Sequence, residues 1–437
     1  MAGGANVTAY VSIIFIMTFF ATVHLVRKYA EKDFPKVTYI TCIAGYFCTF
    51  GLLLLVPIDL AATIIDRRNN DNETYTTDRE NIVDVYNAVF IPILILANVV
   101  LVFEEYYNTD GYFTIGSRWI SAFKRMMFDI IGGIIAGVII LAILISSNVT
   151  GGSASSLQLA AVIVTNTVYE GALMFLLAYG LVAFPRMLWN SADLDYSLLA
   201  AQMNAASEFK KLSESSLDVS LVVSDVMKTK KQVESYGEKS LEDCFKVLLD
   251  DAPEGFTSST MGKVAVDKTG RVTVDTLASL RTRLNVAKDR YRMAQGRVEE
   301  VKFAAYQLED VAAARSRTDG QELIFWSLFN KESTRNEYLW HVKYRPILHK
   351  IGAIITGMIA VFMCMGIFGS IHGVDGDVSI YYQIIQSDSA TAGGIVIFVL
   401  FTLGYTAYIT LWSLLQVKLA GLMELVEGST TPESMSF

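Results

Sequence analysis

Glu170 stands near the middle of a long apolar run, with Tyr169 and Asn166 close by. An ionisable side chain at that depth in a bilayer is costly, and marks an ion path, a proton relay or a polar ligand cavity by default. Asp59 follows Pro57 near the end of a second run, Asp129 lies about one turn inside a third, and Asn87 and Asn98 lie in or at the edge of a fourth. Asp59, Asn98, Asp129, Asn166 and Glu170 are therefore the candidates for chemistry inside the membrane. A small lipophilic ligand or a proton-coupled substrate would use such a cavity. The plainer alternative, which we prefer, is that these groups hydrogen-bond helix to helix, the two aspartates holding boundary positions.

Outside these positions the sequence carries no catalytic constellation. There is no Walker-type glycine loop, no H-E-x-x-H, no G-x-S-x-G and no kinase signature. His24, His341, His349 and His372 are scattered without metal-ligand spacing. Cys42, Cys48 and Cys364 lie in apolar runs and Cys244 in a polar one, which reads as buried thiols acting as small hydrophobes. The expectation is a protein that is not an enzyme, with no cofactor and no metal.

These polar positions must be held by helices. Of the 437 residues, 52% are hydrophobic and only 18% charged, against about a quarter charged in soluble proteins. The net charge of −8 offers no basic surface for nucleic acid. Seven apolar runs are long enough to span a bilayer core: 8–26, 37–64, 83–103, 126–145, 157–184, 351–369 and 393–417. They are continuous rather than alternating, which predicts helices and excludes a β-barrel. Gly133 and Gly137 form a G-x-x-x-G pair in the fourth, a weak signal of close helix approach.

Lys and Arg in the short loops set the orientation. Arg27, Lys28, Lys32 and Lys36 follow the first run, and Arg118, Lys124 and Arg125 precede the fourth. The loop after the fourth run has none, nor has the stretch from Ser370 to Ser389. This alternation predicts an N-terminus outside or lumenal. One loop dissents, with Arg67, Arg68 and Arg79 among five acidic residues on the outer side. The N-x-T sequons at Asn6, Asn72 and Asn148 all fall on that outer face, and Asn72 stands furthest from the bilayer. The first run lacks the basic n-region of a signal peptide and reads as an uncleaved span.

Between the fifth and sixth runs the chain turns polar. Leu277, Leu280, Leu284, Ala287, Tyr291, Ala294, Val298, Val301, Ala305, Leu308 and Ala312 repeat at alternating spacings of three and four, a coiled-coil seam. Arg283, Lys288, Asp289, Glu299 and Glu300 take the outer face. A partner helix is expected from Leu194 to about Val233, ending near Tyr236 and Gly237, with Leu199, Met203, Ala206, Leu217, Leu221 and Val226 on one face. Leu241–Leu249 reads as a short helix, and the stretch from Asp250 to Gly270 as a loop. The fold class is thus all-α: a polytopic helical membrane protein with a long cytoplasmic antiparallel coiled-coil hairpin. Residues 1–187 form spans one to five, 188–348 the insertion, and 349–437 spans six and seven with a short tail. The lipid bilayer is one partner, and cytoplasmic or membrane proteins are expected to bind through 188–348. Pairing of the seam between two chains is the rival arrangement.

Five stretches resemble a known family. They are Leu55-Val-Pro-Ile-Asp59, Gly180-Leu-Val-Ala-Phe-Pro-Arg-Met-Leu-Trp-Asn190, Ala305-Tyr-Gln-Leu-Glu-Asp-Val-Ala312, Trp340 with Arg345-Pro346 and Lys350, and Thr430 with Ser434-Met-Ser-Phe437. Together they resemble the limb-region-one and lipocalin-interacting membrane receptor family, most nearly its subgroup called limb-region-one domain-containing protein two. The resemblance implies nine spans, an outer N-terminus and a large cytoplasmic loop between spans five and six. Two further spans are therefore expected beyond Phe437. It also implies a receptor-like or adaptor role in the plasma membrane or an endolysosomal membrane. Family roles include lipocalin reception, lysosomal cobalamin export and modulation of G-protein-coupled receptor signalling. The leading expectation is a signalling adaptor that recruits partners through its coiled-coil loop. The alternative is a transporter or lipophilic-ligand carrier built around Glu170, Asp59 and Asn166. A rhodopsin-like receptor is disfavoured, because Phe103-Glu104-Glu105-Tyr106 replaces the usual acidic-Arg pair and no Asn-Pro-x-x-Tyr follows Gly404-Tyr405-Thr406.

Overall fold

A computed structural model describes residues 2–31, 34–69, 92–93, 95–146, 154–253, 255–256, 263–267, 270–317, 322–371, 392–417 and 430. Helices dominate. In chain order they are α1 (Ala2–Tyr29), α2 (Lys36–Asn69), α3 (Leu101–Thr109), α4 (Ile115–Ser146), α5 (Ala154–Ser191), α6 (Leu194–Tyr236), α7 (Lys239–Asp250), α8 (Val274–Ser316), α9 (Arg335–Tyr338), α10 (Arg345–Ile371) and α11 (Ala392–Val417). π-helical turns at Leu96–Val100 and Leu339–Tyr344 lead into α3 and α10. The all-α expectation holds: among the described residues the strands are one two-residue pair, β1 (Phe325–Trp326) and β2 (Lys331–Glu332), antiparallel with Phe325 opposite Glu332.

Three stretches are long and apolar enough to cross a bilayer among the described residues: Glu170–Ser191, Arg335–Met365 and Gly394–Leu414. Protein buries only 22%, 17% and 17% of their apolar windows. Water around so much uncovered hydrocarbon would cost roughly 1.5–3 kcal/mol per large side chain, so the solvent for these helices is lipid. The expected spans at 8–26, 37–64 and 126–145 fall within α1, α2 and α4. The third starts outside the described residues and runs beyond Phe103 to Thr109.

Helix packing follows the small residues. Gly180 brings α5 against α11, where a Cβ would overlap Ser413 Oγ and Ile409 Cγ2. Leu181, Phe184, Met363 and Ile409 form the core shared by α5, α10 and α11. Gly133 and Gly137 behave otherwise: a Cβ added at either would meet no other part of the described residues within 4 Å. Cys364 is exposed on α10 rather than buried, while Cys42 is buried between α1 and α2.

Outside the spans, α6 and α8 each run 43 residues, about 65 Å at 1.5 Å rise. Asp193 caps the first through Asp195 N at 3.1 Å, and Gly237 ends it at φ 59°, a left-handed conformation that glycine adopts without steric cost. Thr273 and Thr276 form a reciprocal cap at the start of α8. The two helices pack along their lengths. Gln202 bonds Glu309 at 3.1 Å, and Arg283 pairs with Asp225 at 3.0 Å.

On α8 the expected seam is the buried face. Leu277, Leu280, Leu284, Ala287, Val298 and Ala305 are buried, and Tyr291, Ala294, Val301 and Leu308 half-buried. At its end the seam moves from Ala312 to Val311 and Ala314, which pack on Ile324 just before β1. On α6 the expectation is corrected. Leu199, Met203 and Leu217 are 58%, 66% and 60% exposed, and Leu221 and Ala206 also face outward. The buried face is Val219, Val222, Val223, Val226, Thr229 and Val233. This stripe of β-branched residues meets α8 and is sealed by Leu241, Phe245 and Leu248 of α7.

Candidate docking interface

Of the polar residues inside the spans, Asp59 is half-buried on α2 and Asn98 is exposed in the π-helical turn. Asp129 on α4 is exposed and accepts a hydrogen bond from the Tyr106 hydroxyl of α3. Glu170 is exposed on α5, and the Asn166 side chain lies outside the described residues. The cavities of about 340 and 720 Å3 are lined by none of these five. Asp129 thus joins α4 to α3 through Tyr106, and the five candidates line neither of these two cavities. Of the sequons, Asn72 and Asn148 lie outside the described residues, as does the Asn6 side chain on α1.

The more developed polar cluster lies where two short loops of the membrane region meet α8. The loop between α3 and α4 approaches so closely that a Cβ on Gly111 would overlap the Ala278 carbonyl oxygen and sit 2.5 Å from Thr282 N. Gly111 N donates to Thr282 Oγ1 at 2.9 Å. Tyr112 donates from its hydroxyl to Asp275 Oδ1 at 3.0 Å, while its carbonyl accepts from Arg118 Nε at 2.6 Å. Arg281 ties the cluster together. Its guanidinium lies 5.3 Å from the Phe113 ring centroid and pairs with Asp251 at 2.6 Å. Arg281 is largely buried, so removing Asp251 would leave its charge poorly solvated and without that partner.

Burial, then the hydrogen bond to Asp275, raises the Tyr112 phenol above its ordinary value, so it remains a donor through the neutral range. Asp110 is 2% exposed, and neither carboxylate oxygen has a hydrogen-bond partner among the described residues. Such burial is unfavourable by itself, so the three residues after it hold the loop in place. The α1–α2 loop supplies a second tether, Arg292 to Glu31 at 2.7 Å.

The far end of α8 is also fixed. Asp310 accepts from Ser327 N and Oγ at 2.9 and 3.0 Å, anchoring the β1–β2 turn. The Trp326 ring then meets His341 at 5.5 Å on the way into α10. Within the helix pair, Asp225 is buried. It accepts from Lys263 N at 2.5 Å besides pairing with Arg283, and Thr229 Oγ1 accepts from Ala265 N at 3.1 Å. Two side chains on one turn of α6 thus pin the linker that leads to α8.

The seam residues Leu277, Leu280 and Leu284 are fully covered within the chain. What the arrangement can do is mechanical: α8 touches both loops, the linker and the approach to α10. Sequence reasoning missed Gly111, Tyr112, Asp225 and Arg281. The Asp110-Gly111 dipeptide signals a turn, and Asp225 is a lone acid in the run from Leu221 to Val226, but neither signal names a partner far away in the chain.

Comparison with known proteins places this geometry in a family. The profile described as LMBR1-like membrane protein matches residues 7–437. "LMBR1 domain-containing protein 2 homolog A" of Dictyostelium discoideum is 20% identical over 475 residues, covering 96% of this chain and 62% of the relative. "G-protein coupled receptor-associated protein LMBRD2" of Gallus gallus is 21% identical over 394 residues, covering 80% of this chain and 56% of the relative. The human protein of that name is 21% identical over 398 residues, with the same shares. The chain thus spans less than two thirds of the length of these relatives. No solved structure matches it. With the profile match covering nearly every residue, the chain belongs to the LMBR1-like membrane protein family.

Proposed function

We propose that the protein is a multi-pass membrane adaptor that binds rather than catalyses, and that α6 and α8 form a cytoplasmic coiled-coil hairpin whose outer face recruits a membrane receptor. The carrying observation is the uncovered apolar stripe on α6. Leu199, Met203 and Ala206 repeat at helical spacing and remain exposed although α8 is already engaged, and Leu217 and Leu221 continue the stripe about three turns on. Apolar groups spaced in this way form the face an amphipathic helix offers to a partner. The printed names of the relatives, G-protein coupled receptor-associated proteins, support a receptor as that partner. Basic residues flanking the first and fourth spans support the cytoplasmic side for the hairpin and the outer side for the N-terminus.

The test is co-purification of the full chain with a co-expressed G-protein-coupled receptor, before and after Leu199→Ser with Met203→Ser. Because both side chains are exposed, the double variant should keep its thermal stability and lose most of the captured receptor. Undiminished capture would overturn the stripe as the docking face.

A further inference from the structure

The cavity of about 720 Å3 lies where α5, α6 and α11 meet, at the end of the Glu170–Ser191 span. Its floor is apolar and aromatic. The Tyr179 ring lies nearly parallel to Trp412, centroids 6.5 Å apart, and Val182 beside it is 73% exposed on the bilayer-facing surface. Its rim is polar, with Arg186, Asn190 and Gln416. Arg186 is exposed and has no ion-pair or hydrogen-bond partner among the described residues.

The vertical spacing is informative. Arg186 follows Tyr179 by two helical turns, about 10 Å along the axis. The headgroup layer on each side of a bilayer is roughly 5–8 Å thick, so the guanidinium reaches phosphate level when the aromatic pair sits among the first acyl carbons. A guanidinium matches phosphate with two parallel hydrogen bonds, and the amides of Asn190 and Gln416 are neutral donors beside it. A phosphate compound free in water would use the rim and leave the aromatic floor idle.

We propose that this cavity is a binding site for an anionic phospholipid, with the headgroup on Arg186 and the upper acyl chain against Tyr179 and Trp412. This site shares no residue with the apolar stripe of α6 and stands independently of the adaptor reading.

The experiment uses the full chain in phosphatidylcholine vesicles that carry a minor fraction of either phosphatidylserine or phosphatidylcholine, each with a photoreactive group on the upper acyl chain. Labelled peptides are mapped by mass spectrometry. Phosphatidylserine should label the peptides containing Tyr179–Met187 and Trp412 about fivefold more than phosphatidylcholine does, the preference expected of one interfacial cation. Arg186→Gln should bring the two lipids level, and Arg186→Lys, which keeps the charge, should restore most of the difference. Equal labelling by both lipids in the unaltered protein would overturn the proposal, as would an unchanged preference in Arg186→Gln. Loss of the preference on adding inorganic phosphate would assign the site to a soluble anion and overturn the lipid.

Discussion

Replacing Gly111 by alanine tests how the membrane region grips α8. The backbone there is not left-handed, so the residue is needed for space and not for its φ. The added Cβ would overlap the Ala278 carbonyl oxygen and fall 2.9 Å from Arg281 Cβ and 2.5 Å from Thr282 N. Two of these three atoms are backbone of a packed helix, and no rotamer change relieves them. The loop must withdraw. It would surrender the bond from Gly111 N to Thr282, worth about 0.5–1.5 kcal/mol, and the Tyr112 bond to charged Asp275, worth about 1.5–3 kcal/mol. The Arg281–Phe113 contact adds roughly 0.5–1 kcal/mol. The total of roughly 2.5–5.5 kcal/mol corresponds to at least a fiftyfold shift toward the undocked loop. Hydrogen exchange of the full chain in nanodiscs reads this directly. Amides of residues 110–118 and 274–284 should exchange faster in Gly111→Ala by that factor, while amides of residues 219–233 change little. Thr282→Val, which removes a single hydrogen bond to the loop besides the hydroxyl's bond to the Ala278 carbonyl within α8, should give only about a tenfold effect or less on loop docking. Exchange in Gly111→Ala indistinguishable from the unaltered protein would refute the close approach.

Leu280→Ala, at a side chain 1% exposed in the seam, should cost about 2–5 kcal/mol in thermal or denaturant unfolding, whereas Leu199→Ala, 58% exposed on α6, should stay within about 0.5 kcal/mol. Equal losses would restore the face first expected from the sequence. Asp225→Ala should destabilise the helix pair by roughly 1–3 kcal/mol, because the buried carboxylate serves both Lys263 N and the more exposed Arg283. It should also raise protease cleavage within residues 250–272, and a linker no more sensitive than before would contradict the pinning role. The phenol of Tyr112 is raised above its ordinary pKa of about 10. Its contribution to docking is therefore complete below that value and is lost as pH rises through the folded pKa. Exchange at residues 274–284 should accelerate in that alkaline range and lose the dependence in Tyr112→Phe.

The seam of α8 was legible in advance because one period dominates: Leu277, Leu280, Leu284 and Ala287 recur at three- and four-residue spacing, and the structure buries all four. The end of α6 was legible for a local reason too, with Gly237 as a stop, whereas the Thr273 cap of α8 comes from the structure alone. The buried face of α6 was not legible, because that helix carries two apolar stripes. Leu199, Met203, Ala206, Leu217 and Leu221 form one, and Val219, Val222, Val226 and Val233 the other; of the face first expected, Val226 belongs to the buried stripe. Periodicity cannot choose between them. The choice is made by α7 and the linker, which cover only the second. The docking loop was hidden for a related reason: contacts between residues as distant as Gly111 and Thr282 leave no trace in local pattern. Glu104, one residue past the expected end of the third span at Phe103, lies within α3, is buried and accepts from Thr41 at 2.7 Å, a contact across 63 residues that no local pattern announces.

The central claim is that the loop after α3 rests on the first turns of α8. A photoreactive benzoyl-phenylalanine placed at Tyr112 of the full chain in native membranes measures this contact most directly. The predicted product is an internal cross-link from residue 112 to the peptide spanning residues 274–283. Cross-links confined to lipid, or to any other part of the chain, would contradict the account.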